Sequence, residues 1–144
     1  MRIEEREVVQ APRNKKVYIA VDGEEFSSES QCLKHEKLLE LKERISHINH
    51  KKVDVIDNLC GGEAYYITNE NDFKSVESFI TESYLYGCNC SGNWNYNGEN
   101  WYIFYSEDGG DYRDELYCYD LDYYKKMVKE FLEQFEIDFK KKLA

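Results

Sequence analysis

Histidine, cysteine and carboxylate are the groups through which this chain could do chemistry. Nucleophilic hydrolysis needs an activated Ser or Cys beside a base. The only histidines, His35, His47 and His50, fall in or just after one helical stretch. Neither a Gly-x-Ser-x-Gly elbow nor a protease cysteine signature occurs. Metal binding is the closer case, through Cys88-Asn89-Cys90 and His47-Ile48-Asn49-His50. Zinc prefers a wider cysteine spacing and a second pair of ligands, which Cys60 and Cys118 supply only if the fold brings them in. Cys32 reads as a simple buried thiol. Glu107-Asp108-Gly109-Gly110-Asp111 lacks the ligand pattern of a calcium loop. Gly61-Gly62 and Gly109-Gly110 match neither a P-loop nor a dinucleotide fingerprint and read as hairpin turns. No catalytic residue, cofactor or metal is therefore expected, and the chain is read as a non-enzyme.

A different kind of chemistry is concentrated between residues 63 and 122. Thirteen carboxylates there face two cations, Lys74 and Arg113, in a chain whose whole net charge is −10. The same block holds ten of the thirteen tyrosines and both tryptophans. Tyrosine and tryptophan bury large area and keep a polar handle, which suits protein interfaces. Strand alternation over Leu116-Tyr117-Cys118-Tyr119 puts Leu and Cys on one side and both tyrosines on the other. A dense carboxylate field repels nucleic acid and attracts basic, nucleic-acid-binding surfaces. The candidate partner-binding residues are Trp94, Tyr96, Glu107, Asp108, Asp111, Tyr112, Asp114, Glu115, Tyr117 and Tyr119. Arg113 is the candidate phosphate contact, although Asp111 and Asp114 could equally satisfy it as an ion pair.

The bulk composition bounds what positions these groups. At 144 residues, with one proline and eight glycines, the chain suits one core and leaves no room for a long linker. No apolar run reaches the roughly 20 residues of a membrane span, and 1–16 has no apolar signal core. An odd set of five cysteines without secretory context reads as reduced thiols. A cytoplasmic protein is expected, with no membrane partner.

Residues 1–14 read as a flexible arm and 15–144 as a single domain. Lys16 to Asp22 reads as a strand closed by Asp22-Gly23, and Ser28 with Gln31 fits a capping box for a helix over 29–47. Leu38, Leu41, Ile45 and Ile48 recur at helical spacing. Strands follow around Val53–Val55 and Ala64–Thr68, with Gly61-Gly62 as their turn. Asn71 caps a second helix carrying Phe73, Val76, Ile80 and Tyr84, ended by Gly87. Cys88 to Asn100 reads as a loop, Trp101–Tyr105 and Leu116–Tyr119 as a strand pair, and Asp120 as the cap of a last helix. The expected fold class is α+β: a twisted, mostly antiparallel sheet with about three helices packed on one face.

Tyr18-Ile19-Ala20-Val21-Asp22-Gly23-Glu24-Glu25-Phe26, continued by Ser28-Glu29 and Cys32 to Glu36, resembles an N-terminal module of small phage and prophage proteins of Firmicutes. The Trp101-Tyr102-Ile103-Phe104 strand with its Gly-Gly turn is also similar. The resemblance covers about half the chain and is carried by structural motifs. It implies a mobile-element product, among which acidic anti-defence inhibitors such as anti-CRISPR proteins are common. The expectation is an inhibitor that binds a basic surface of a host nuclease or effector complex and blocks nucleic-acid access. The alternative is an oligomeric protein that sequesters a nucleotide signal, stacking the base on aromatics and meeting phosphate through Arg113. A metal-assisted enzyme built on clustered carboxylates is the third reading.

Overall fold

The computed structural model describes residues 1–8, 11–55, 58–84, 88–107 and 114–143, with the backbone alone described over 7–8, 11–13, 58–60 and 136–143. The chain is α+β, with three helices and two mostly antiparallel sheets among the described residues. It divides into two compact units, Met1–Ser46 and His47–Ala144, where the sequence suggests one core.

In the first unit, β1 (Arg2–Val8), β2 (Ala11–Ile19) and β3 (Glu25–Phe26) form an antiparallel sheet in that order, followed by α1 (Glu29–Arg44). Residues 2–8, expected within a mobile arm, instead pair with β2 from Arg2↔Ile19 to Val8↔Ala11. Their charges hid them, since Ile3 alone interrupts the run Arg2 to Glu7. Pro12 is tolerated because β3 reaches only Tyr18 and Ile19, leaving the rest of β2 with one neighbour. Gly23 makes the next turn at φ +90°, donating to Ala20 O at 2.9 Å. Ser28 is the N-cap of α1 without the expected capping box, its hydroxyl lying 2.8 Å from that of Ser30. Cys32 and Leu41 are buried on α1 and Ile45 just beyond it, so the helical apolar spacing holds while the helix ends sooner than expected.

The second unit runs β4 (Asn49–Val55), β5 (Asn58–Ile67), α2 (Glu70–Glu82), β6 (Cys88–Gly92), β7 (Asn100–Glu107), β8 (Asp114–Asp120) and α3 (Leu121–Leu143). The sheet order is β4-β5-β7-β8-β6, antiparallel except for β6, which lies parallel to β8 at the edge. Cys88–Gly92 was expected as loop; its Asn, Ser and Gly carry no strand propensity, and only pairing with β8 makes it one. Gly61 and Gly62 are not a turn. Both lie inside β5, where the register shifts against Val53 and Val55, and a Cβ on Gly62 would meet Val55 Cγ2 at 2.8 Å. The N-cap of α2 is Asn69 rather than Asn71, accepting from Asp72 N at 2.8 Å. Asp120 caps α3 as expected, accepting from Tyr123 N at 2.8 Å. Gly87, Gly109 and Gly110 lie outside the described residues.

Period-two alternation on β7 divides the unit. Tyr102 and Phe104 point to the face covered by α2, where Phe73 meets Tyr102 edge-on at 5.2 Å and Val76, Leu116 and Cys118 are buried. Ile103 points to the other face, packed with Val55 and Ala64 under Leu121 and Tyr124 of α3. The helices of this unit are thus shared between two faces, not gathered on one. No described helix is long and apolar enough to cross a membrane.

The fully buried Tyr102 ring carries its hydroxyl to the 93–99 loop, 2.7 Å from Gly98 O, 2.8 Å from Asn97 Oδ1 and 3.0 Å from the Asn97 N–H that donates to it. Replacing Tyr102 by Phe leaves those loop groups without that partner and is expected to cost about 1–3 kcal/mol in urea unfolding. Tyr66→Phe, which removes an exposed bond to Glu99, is expected to stay within about 0.5 kcal/mol of the parent.

Candidate functional site

The alternation that buries Leu116 and Cys118 turns Tyr117 and Tyr119 to the opposite face of β8, as the sequence suggests. Register then adds a ring that spacing alone did not select. Tyr105 pairs directly with Tyr117, and the two stack at 4.9 Å with an interplanar angle of 13°. Tyr119 lies 6.3 Å from Tyr117 and stacks on Tyr123, the third residue of α3, at 5.3 Å and 9°. Tyr105, Tyr117, Tyr119 and Tyr123 therefore form a ladder running from mid-sheet to the start of a helix. Three rungs are half-buried and Tyr123 is 45% exposed.

Carboxylates edge the lower rungs. Glu107 pairs with Glu115 across the strands, and the Tyr117 hydroxyl donates to Glu107 Oε2 at 3.3 Å. The Ser91 hydroxyl donates to Glu115 Oε2 at 3.0 Å. The Glu115 carboxylate, with partial burial and Glu107, pushes the Tyr117 phenol up to about 12. Burial raises Tyr105 and Tyr119 as well, so these three phenols stay uncharged across the physiological range. It can offer phenol donors and aromatic faces beside anionic carboxylates.

Of the candidate residues, Glu107, Glu115, Tyr117 and Tyr119 come together here. Trp94 and Tyr96 do not. Trp94 packs 5.6 Å from Phe104 and donates from Nε1 to Ser91 O at 2.8 Å, while Tyr96 stacks 6.1 Å from Tyr102. Both rings belong to the α2 face. Asp114 alternates with Glu115 and opposes Cys88, which places it with Leu116 on that same face. Asp108, Asp111, Tyr112 and Arg113 lie outside the described residues. Tyr105 and Tyr123 were not among the candidates, although the cross-strand partner of Tyr117 and the residue four beyond Tyr119 were where to look.

A groove of about 440 Å³ opens on the α2 face, lined among others by Phe79, Tyr84, Phe104, Ser106 and Lys52. Lys52 pairs across the strands with Glu63, also in the lining, which leaves little net positive charge there for a phosphate.

Among the described residues, neither the His47/His50 pair nor the Cys88/Cys90 pair belongs to a cluster of three metal-ligating groups. His47 is 3.1 Å from Asp72, and His50 is 3.3 Å from Glu63 and stacked on Tyr65. Cys118 is buried while Cys90 is exposed. The donor cluster among the described residues is elsewhere, in the first unit, where Asp22, Glu24 and His35 hold ligand atoms within 4.8 Å of one another. His35 Nε2 lies 2.8 Å from Asp22 Oδ2 and 3.1 Å from Glu24 Oε2, with its ring 5.1 Å from Phe26. Three such donors can ligate a divalent ion, and they also close on themselves as a clasp around a protonated imidazole. Comparison with family models, curated proteins and solved structures finds no match to the chain.

The Asp22 hydrogen bond, aided by Glu24 and Glu36, raises the His35 pKa above its ordinary value, and the same bond lowers that of Asp22. A raised histidine contributes stability that is complete below its unfolded value of about 6.5 and is lost as pH rises through the folded one. Asp22 contributes above its ordinary value and loses that contribution only as pH falls through its lowered one. Thermal melts are therefore expected to fall as pH rises beyond about 6.5, and His35→Gln to flatten that slope. An unchanged slope in His35→Gln would refute the clasp.

Proposed function

We propose that this chain is a binding protein whose tyrosine ladder docks against a basic surface of another protein. The observation that carries this reading is the four-ring ladder, half-exposed and edged by Glu107 and Glu115. Stacked phenols lose little rotamer freedom on binding, and the exposed Tyr123 ring at the end of the stack can accept an arginine guanidinium over its outer face. The carboxylates complete those contacts as charge-assisted hydrogen bonds and help draw a basic surface in. The excess of carboxylates between residues 63 and 122 sharpens the same preference and disfavours direct contact with nucleic acid.

The resemblance of residues 18–36 to phage and prophage modules supports a setting for this activity. The partner is then a host defence nuclease or effector complex, and the anti-defence action consists of covering the surface that would bind nucleic acid. The work is done in the host bacterial cytoplasm and needs no cofactor or catalytic group.

Immobilised chain challenged with bacterial lysate is expected to retain basic nucleic-acid-binding proteins at about 50 mM salt and to release them by about 300 mM. Duplex DNA should compete. Tyr117→Ala with Tyr119→Ala should weaken retention at least about tenfold, as loss of aromatic anchors does. Glu107→Lys with Glu115→Lys should weaken it further at low salt than at high salt. Retention indifferent to salt, DNA and both variant pairs would eliminate the reading.

A further inference from the structure

The final helix is much longer than its docking requires. α3 spans Leu121–Leu143, roughly 35 Å at the usual helical rise, yet the residues that pack on the sheet core, Leu121 and Tyr124, lie in its first turns. Its apolar stripe continues past that contact at helical spacing. Met127 and Val128 are half-buried, and then Phe131, Leu132 and Phe135 are 50%, 51% and 65% exposed. Two phenylalanines and a leucine on one exposed stretch of helix form a patch that water does not favour, and such patches mark interfaces.

Charge along the helix says what covers it. Lys125, Lys126 and Lys129 form a basic stretch, and Glu130, Glu133, Glu136 and Asp138 form an acidic one immediately after. Phe131 sits near their boundary. A second copy of α3 laid antiparallel and crossing near Phe131 sets each basic stretch beside the other copy's acidic stretch. A parallel pair would set like charge against like. The stripe of one copy, from Met127 to Phe135, meets its own reverse, which is the self-complementarity a two-fold interface requires.

We infer that this chain forms a two-fold dimer through the outer part of α3, the helices antiparallel and Phe131, Leu132 and Phe135 buried between copies. Oppositely charged flanks fix the direction, and the exposed rings supply the burial, as in a short antiparallel helix pair. The inference is independent of the partner-binding reading: the ladder rungs Tyr105, Tyr117 and Tyr119 lie on the sheet, and only Tyr123 lies on α3, eight residues before Phe131. A dimer would present two ladders on one particle, so it would raise avidity without altering either.

Sedimentation velocity on the full chain between about 5 and 200 µM is expected to show a shift from 17.2 kDa toward twice that mass as concentration rises. Phe131→Ser with Phe135→Ser, both on exposed positions, should leave the far-UV spectrum folded and weaken association at least about tenfold. Lys126→Glu with Lys129→Glu should also weaken it, and adding Glu133→Lys with Glu136→Lys in the same chain should restore it. Carbodiimide cross-linking of mixed light and heavy-isotope chains should join lysines of 125–129 in one copy to glutamates of 130–136 in the other. A chain that remains a monomer throughout overturns the inference, as does a dimer that survives the double serine variant. A monomer that instead sediments with phosphatidylglycerol vesicles through the same residues would also overturn it, in favour of a lipid surface.

Discussion

The register of β7 is the constraint on which the second unit depends. It pairs with β5 through Tyr65↔Tyr102 and with β8 through Tyr105↔Tyr117, so its position fixes which side every neighbouring aromatic takes. On one side Tyr102 and Phe104 meet Phe73, Trp94 and Tyr96 in a closed aromatic core. On the other, Tyr105 starts the ladder. A slip of one residue in β7 would send Tyr102 and Phe104 away from the α2 face and turn Ile103 and Tyr105 into it. Gly62 belongs to this constraint, since Phe104 O stands only 2.9 Å from where its Cβ would be.

How much of this could be read beforehand follows from which residues carry local signals. The helices were legible because Leu38, Leu41 and Ile45, and then Phe73, Val76 and Ile80, repeat at helical spacing, and because Asp120 is a cap in a plain setting. The aromatic strand at 101–105 and the Leu/Cys against Tyr/Tyr alternation on β8 were legible for the matching period-two reason. What escaped depends on pairing rather than on propensity. β1 is almost all charge, and β6 is Cys-Asn-Cys-Ser-Gly; each is a strand only because a neighbour offers its backbone. The glycine pair at 61–62 looks like a turn in sequence and is a close-approach site inside a strand.

The candidate residues divide between two faces of the sheet for one cause. Trp94 and Tyr96 share the sequence block of Tyr117 and Tyr119, so composition could not part them, whereas the sheet puts a wall between the pairs. Composition reports how many aromatics a region holds; only register reports which way they face. The side that Tyr117 and Tyr119 take was legible because alternation is itself a directional signal. Tyr105 was invisible because its place in the ladder depends on which residue of another strand stands opposite. Phenol suits a face like this. A ring on a half-covered sheet face gains cross-strand stacking, and its hydroxyl meets water or a carboxylate without burying an unpaired polar atom.

The first unit argues where specificity must lie. Several residues between 22 and 35 have an architectural occupation. Gly23 supplies a positive φ, Phe26 packs on His35, and Cys32 is wholly buried on α1. Asp22 and Glu24 are engaged with His35. Side chains committed to holding a turn against a helix are constrained by that task whatever the protein binds, so they are poorly placed to discriminate between partners. Among the described residues, the tyrosine ladder is packed on its inner side and only half-buried. If discrimination between partners is built into this chain, physical economy places it there, on the face of β7 and β8 that the fold leaves only half covered.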